Sequence, residues 1–333
     1  MLFYFTYFQD FSGKKINNND NKNMQVFTKN FLEIKSSEIT QQVRDIGYFK
    51  FENALTDEFI SNIKIDVNKA GLSLNSNNVA GVYFTHGSQF FVTHMLASSK
   101  SFYNYCTNSR VLNFCKEIFG NKFRLKALRY YENFGGQTMM WHTDNRLYEK
   151  NKKGETHTTS PGIIFLAYMS DVEDGEFQYI KGSHIWSGNN THHDYTVDYI
   201  KQNYEKDVVG FKGKKGTILI YNSWGVHRAK PTHNENFIRK TLFFQVEKDI
   251  NHSEPILLNS EFISEVNDDI KMYLGFGKKA TNNTYPATDI FTMPLNKKVF
   301  SIIYRWLLSR LVLRLPGFLR KRIRKVYNIP TNK

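Results

Sequence analysis

In this chain of 333 residues, Trp141 is followed by His142, Thr143 and Asp144. His227 stands at the end of a later β-like run, and Arg239 opens the next. Two imidazoles and one carboxylate on one face of a metal ion leave three coordination positions open, the donor set that suits non-haem Fe(II) in oxygenases. A His-x-Asp pair by itself is weak evidence. The order of the whole set carries more: His-x-Asp in one segment, a distant His, and a basic residue shortly after it. In an extended chain successive side chains point to opposite faces, so His142 and Asp144 project the same way and supply two neighbouring ligands. A third must come from another strand that closes over them. Arg239 and Thr241 share one face of their strand, and a guanidinium grips a carboxylate through two parallel hydrogen bonds. A dicarboxylate cosubstrate chelating the metal at one end needs such an anchor at the other.

The elements that must position these side chains read as short strands. Residues 124–131, 162–169, 175–180, 216–221 and 237–246 are strand-like and set between Gly, Asn and Asp turns, and the turn at 222–225 delivers Val226 and His227. This pattern argues for a mainly β fold with flanking helices (α+β), its core a jelly-roll or double-stranded β-helix. Helices are expected over 56–70 and over 109–119, the second ended by Gly120, and would buttress the outside of the sheet. The domain plan is a flexible segment 1–23, one catalytic-type domain 24–295, and a basic, apolar C-terminal helix and tail 296–333.

Other residues compete for the same roles. His192-His193-Asp194 repeats the His-x-Asp spacing, but among Asn189, Asn190 and Thr191 it reads as a solvated loop. His184 is a rival ligand whose other reading is structural or substrate-facing. Arg228 adjoins His227 and in an extended strand points away from the metal, which favours Arg239 as the anchor. Lys126, Arg129 and Arg146 are candidates to meet a substrate carboxylate, against the blander reading of solvated charges on strand edges.

With these residues in place, the stretch from about Gln42 to Val246 resembles the phytanoyl-CoA dioxygenase family of Fe(II)/2-oxoglutarate oxygenases. Residues 43–49 are similar to its opening helix-to-strand segment and 141–144 to its metal motif. The run 174–184 resembles its acidic turn leading to Gly-Ser-His, and 225–229 its distal histidine segment. Arg239-Lys240-Thr241 fits the Arg-x-Ser/Thr pattern that holds the far carboxylate of 2-oxoglutarate, while Thr143 stands where relatives often carry Gln. The resemblance implies Fe(II) on His142, Asp144 and His227, 2-oxoglutarate on Arg239, Thr241 and Tyr130, and O₂ as oxidant. It also implies release of succinate and CO₂ with oxidation of an unactivated C–H bond, by hydroxylation or by desaturation or ring closure. Asp144 argues against the halogenase variant, in which a small residue vacates a position for halide. The alternative from another class is a non-catalytic jelly-roll binding module.

Charge is placed unevenly. Of fourteen net positive charges, eleven lie in residues 297–333, which contain no acid, leaving +3 for the rest of the chain. That excludes a nucleic-acid groove across the domain and assigns the basic character to the tail. Three arginines, Arg305, Arg310 and Arg314, interrupt an apolar stretch barely long enough to span a bilayer, so a membrane span is not expected. The tail either lies on an anionic membrane surface or packs on the barrel or at a dimer contact. The expected partner is a small molecule, and carboxylated, acyl and lipid-linked substrates all remain open. Two cysteines make no disulfide framework, and the segment 1–8 lacks the basic leader of a signal peptide; a cytoplasmic setting, with or without peripheral membrane contact, is the expectation. Met24 is an alternative start.

Overall fold

The structure is a computed structural model. It describes residues 24–72, 82–85, 89–134, 139–144, 162–186, 195–232, 234, 237–248, 250–251, 253–262, 266–281, 304, 307, 311 and 315–319. The first strands are β1 (Tyr48–Phe51), β2 (Val82–Thr85), β3 (Gln89–Thr93), β4 (Arg124–Phe134) and β5 (Gly162–Tyr168). Then come β6 (Val172–Ile180), β7 (Val208–Gly213), β8 (Ile218–Asn222), β9 (His227–Ala229) and β10 (Ile238–Glu247). They pair antiparallel in two open sheets, one ordered β1-β8-β5-β10-β4-β3-β2 and the other β7-β6-β9. This is the expected jelly-roll arrangement, and the site lies between its sheets.

Strand β5 shows why its run is apolar at every position. Ile163, Phe165 and Ala167 point outward into a core shared with the helices, whereas Ile164, Leu166 and Tyr168 point inward toward the small sheet. A strand buried on both faces loses the polar alternation of a half-exposed one. The neighbouring β10 repeats the division, with Leu242, Phe244 and Val246 on the helix side. Phe244 stacks on Phe165 at 4.5 Å between ring centroids and meets Tyr105 edge-on at 5.1 Å.

All but one of the described α-helices cover that outer face; the exception, Val197–Tyr204, packs through Ile200 on Trp141, Ile180, Tyr195 and Val226. In chain order the helices are α1 (Lys29–Glu33), α2 (Ser36–Ile46), α3 (Asp57–Leu72), α4 (Met95–Ser98), α5 (Lys100–Cys106), α6 (Ser109–Phe119), α7 (Val197–Tyr204) and α8 (Asp268–Leu274). The expected helix at 109–119 is α6, capped by the Asn108 side chain accepting from Arg110 N–H and closed at Gly120. The one expected at 56–70 is α3, with the Thr56 hydroxyl accepting from Phe59 N–H at its start (3.2 Å). The strand expected from 175 begins earlier, at Val172. Segment 1–23 and most of 296–333 lie outside the described residues.

Candidate active site

His142 and Asp144 are not on a regular strand, which corrects the sequence expectation. They sit in a short extended segment joined to β9 by a single antiparallel bridge between His142 and His227. His142 N–H donates to His227 O (3.0 Å) and His227 N–H donates back to His142 O (2.8 Å). Asp144 N–H donates to Ser223 O (2.8 Å), in the turn that leads to β9. Those bonds keep the alternation of an extended chain without a ladder, so both side chains still face His227. The turn itself is closed by Gly225 N–H donating to Asn222 O (3.1 Å), and a Cβ at position 225 would collide with the Tyr179 hydroxyl.

Side-chain geometry brings the three donors together. One ligand atom from each of His142, Asp144 and His227 lies within 4.8 Å of the others. Asp144 Oδ1 is 3.8 Å from His142 Nε2, and Asp144 Oδ2 is 3.4 Å from His227 Nε2. On the far side of each ring, Nδ1 meets a backbone carbonyl: Met140 O at 2.8 Å for His142 and Gly225 O at 2.9 Å for His227. A carbonyl can only accept, so Nδ1 carries the hydrogen in both rings, and Nε2, a lone-pair donor when unprotonated, is the atom each imidazole turns toward the carboxylate. Three lone-pair donors so arranged repel one another unless a cation lies among them. The donor set therefore fits a divalent metal ion.

Arg239 is buried and lines the same cavity, which has a volume of ≈ 430 Å³. Its Nη1 donates to Gly175 O (2.5 Å) and its Nη2 to Asn133 Oδ1 (2.9 Å). Nε of Arg239 is buried without a hydrogen-bond partner, which leaves the Nε–Nη2 edge for a bidentate acceptor. Thr241 sits on the same face of β10, fully buried, its hydroxyl beside the Tyr131 phenol. An orphaned donor such as the Arg239 Nε is costly in a protein interior and marks a place where a ligand is expected to complete it.

Tyr130 does not join this group. It faces the helix-side core, where its hydroxyl donates to Glu132 Oε1 (2.6 Å), because strand alternation gives the cavity to its neighbours Arg129 and Tyr131. Tyr131 pairs with Thr241 across the sheet and is the tyrosine the sequence reading missed. His184 is remote in role: its Nε2 lies 2.8 Å from Arg44 O, holding the end of α2. Arg228 stacks over Trp141 (4.3 Å) and donates from Nε to Gln178 Oε1 (2.8 Å) at the cavity wall. Lys126 and Arg129 are not solvated edge charges; both are buried and line the cavity. His192, His193, Asp194 and Arg146 lie outside the described residues.

Comparison with known proteins accords with this architecture. The family model for phytanoyl-CoA dioxygenase (PhyH) matches residues 36–241, and the chain belongs to that family. It is a non-haem iron dioxygenase that depends on Fe(II), 2-oxoglutarate and O₂, which displaces the binding-module alternative. Among solved structures, HygX from Streptomyces hygroscopicus with nickel and 2-oxoglutarate bound is 14% identical. The match covers 69% of this chain and 94% of that one, at a TM-score of 0.51. The non-haem α-ketoglutarate-dependent carbocyclase SnoK from nogalamycin biosynthesis is 12% identical, with 65% and 85% covered and a TM-score of 0.50. At these identities the likeness concerns the fold. No curated protein matches the chain by sequence.

Proposed function

We propose that His142, Asp144 and His227 hold the Fe(II), and that Arg239, with Thr241 beside it, binds the distal carboxylate of 2-oxoglutarate. The observation that carries this reading is the pair of carbonyl-anchored imidazoles turned toward one carboxylate, on a cavity that also contains a guanidinium whose Nε is unpartnered. When bound, the metal with its keto-acid cosubstrate supplies the oxidising chemistry: decarboxylation to succinate and CO₂ coupled to oxidation of a substrate C–H bond. The protein's own part is positional. Met140 O and Gly225 O fix the ring orientations, and Gly175 O and Asn133 Oδ1 fix the guanidinium. Phe177, Leu166 and Tyr221 give the cavity an apolar wall that limits water near the reacting atoms. Hydroxylation of a small molecule is the outcome assigned. Succinate release that requires both Fe(II) and 2-oxoglutarate tests it; turnover indifferent to either would overturn it.

A second part of the reading concerns the tail. Among the described residues no helix is long and apolar enough to cross a membrane. Tyr304, Leu307 and Leu311 are each helical and exposed. Exposed apolar side chains beside an acid-free run with Arg320, Lys321, Arg322, Arg324 and Lys325 support docking on an anionic lipid surface.

A further inference from the structure

Beyond the metal and the cosubstrate anchor, the cavity continues into a region that neither uses. Arg239 stands near the start of β10 and Gln245 near its end, so at ~3.3 Å per residue they are roughly 20 Å apart along the strand. A short dicarboxylate held at Arg239 does not reach Gln245. Around Gln245 the cavity wall is built from charge. Lys126 Nζ and Glu247 Oε1 are 2.6 Å apart, and Gln245 Nε2 donates to the same oxygen (3.0 Å). Arg129 Nη2 and Glu254 Oε1 are 3.1 Å apart, with both side chains about nine-tenths buried (10% and 11% exposed). The Arg129 guanidinium also lies over the Phe243 ring at 4.9 Å, and Phe91 completes that part of the wall.

Two local devices put these charges there. The β4–β10 register shifts between Gln245 and Val246, so that Lys126 is the extra residue of a bulge and faces the cavity together with Ala127. Glu254 comes from the segment after β10, outside the 36–241 family match. That segment is laid against β4 by Glu254 N–H donating to Lys126 O (2.7 Å), and it is braced by Ser253 and Thr281 bonding each other (2.9 and 3.0 Å). Ionic groups in a cavity wall are costly to bury under an alkyl chain, because such a ligand removes water and returns no hydrogen bonds. A purely anionic ligand would face Glu254 with a like charge, and a purely cationic one would face Arg129. A ligand bearing both charges satisfies both groups and leaves the net charge of the pocket unchanged.

We infer that the substrate is a small zwitterion of the α-amino-acid class, with its carboxylate on Arg129 and its ammonium on Glu254. This rests on the cofactor reading above for what happens to the substrate, but not for its binding. Lys126 and Glu247 back the pair, and Phe91 and Phe243 flank the side chain or carbon skeleton. Acyl chains and lipid-linked chains are thereby excluded from the cavity, although they remained open from the sequence.

The test separates binding from turnover. Thermal unfolding of the full chain is followed with and without added Fe(II) and 2-oxoglutarate. The probes are the twenty common α-amino acids, decanoic acid, spermidine and glucose, each supplied alone. A ligand that binds only the folded state raises Tm. The expected result is a Tm rise with one or more amino acids and with none of the other three probes, the same amino acid also stimulating succinate release. In Glu254→Gln and, independently, Arg129→Gln, the concentration needed for the Tm rise should increase at least about tenfold, since each leaves a buried charge without its partner. A response to decanoic acid, spermidine or glucose but to no amino acid would overturn the inference. So would silence from the whole amino-acid panel, or an amino-acid response unchanged in both variants. Should an amino acid raise Tm while the wild type releases no succinate under any condition, the cofactor reading fails and the zwitterion site stands.

Discussion

Asp144 is the residue on which the site turns. It is the one carboxylate shared by two imidazoles whose Nδ1–H groups are already committed to backbone carbonyls. Replacing it with Ala leaves two neutral ligands, so Asp144→Ala is expected to reduce succinate release to background while the fold survives; retained turnover in the metal-supplemented variant would remove Asp144 from the ligand set. Arg239 makes a different contribution. Arg239→Ala should raise the 2-oxoglutarate concentration for half-maximal turnover by about tenfold or more, since the loss of a charged hydrogen-bond partner costs about 1.5–3 kcal/mol. An unchanged requirement would place the anchor elsewhere, Arg228 being the rival weighed from the sequence. At this scale the convergence of His142, Asp144 and His227 on a cavity that Arg239 also lines was legible in part: period-two spacing pairs His142 with Asp144, whereas the distant His227 and Arg239 came from the order of the motifs. Tyr130 was misjudged, although Leu128 two positions earlier signals the apolar face. The buried role of Lys126 was hidden by the bulge, which changes which side of the sheet a residue faces without leaving a mark in composition, and that of Arg129 by its partner Glu254, which is distant in the chain.

At the scale of elements, the acidic turn within β6 holds the Arg239 guanidinium in place. Gly175 has φ +59°, its carbonyl receives Arg239, and a Cβ there would run into the Phe237 ring. Gly175→Ala should therefore weaken 2-oxoglutarate binding without touching the ligand directly, seen as a raised cosubstrate requirement with metal affinity unchanged. Unaltered cosubstrate dependence would show that the turn does not position Arg239. The neighbouring Asp174 accepts from the Thr232 hydroxyl (2.6 Å) and from Lys230 Nζ (3.1 Å). The Thr232 hydroxyl first, then the Gly175 N–H and Lys230, lower its carboxyl to about 2. A carboxyl lowered on folding stabilises the protein above its unfolded value of about 3.9, and that contribution fades as the pH falls toward about 2. Asp174→Asn should flatten the acid-induced loss of Tm over that window; an identical acid profile in the variant would show the contacts to be energetically idle. The sequence exposed this motif as a turn, but its partner Thr232 is distant in the chain and only the fold brings them together.

On the scale of the whole molecule, the helix layer and the large sheet share one core, and the small sheet closes over the cavity on the opposite face. Phe244 is buried where sheet and helices meet, so Phe244→Ala should cost about 3–5 kcal/mol in urea unfolding; a loss below about 1 kcal/mol would contradict the packing described. The jelly-roll class was readable from strand spacing, since strands buried on both faces stand out as apolar runs. The strand order was not, because antiparallel pairing between distant segments leaves no local signature. The tail gives its own expectation: vesicles containing phosphatidylserine should sediment the full chain in low salt, whereas a variant ending at residue 295 should stay in the supernatant. Equal behaviour of the two would return the exposed Tyr304, Leu307 and Leu311 to a protein contact. Most direct of all is an anaerobic titration of metal-free protein with Fe(II) and 2-oxoglutarate, watching for the visible iron-to-cosubstrate charge-transfer band in the wild type and in Asp144→Ala. A band that saturates at one Fe(II) per chain in the wild type and is absent from the variant is the expected result. A folded wild type that shows no band, or a variant that shows the same one, would contradict the assignment of His142, Asp144 and His227.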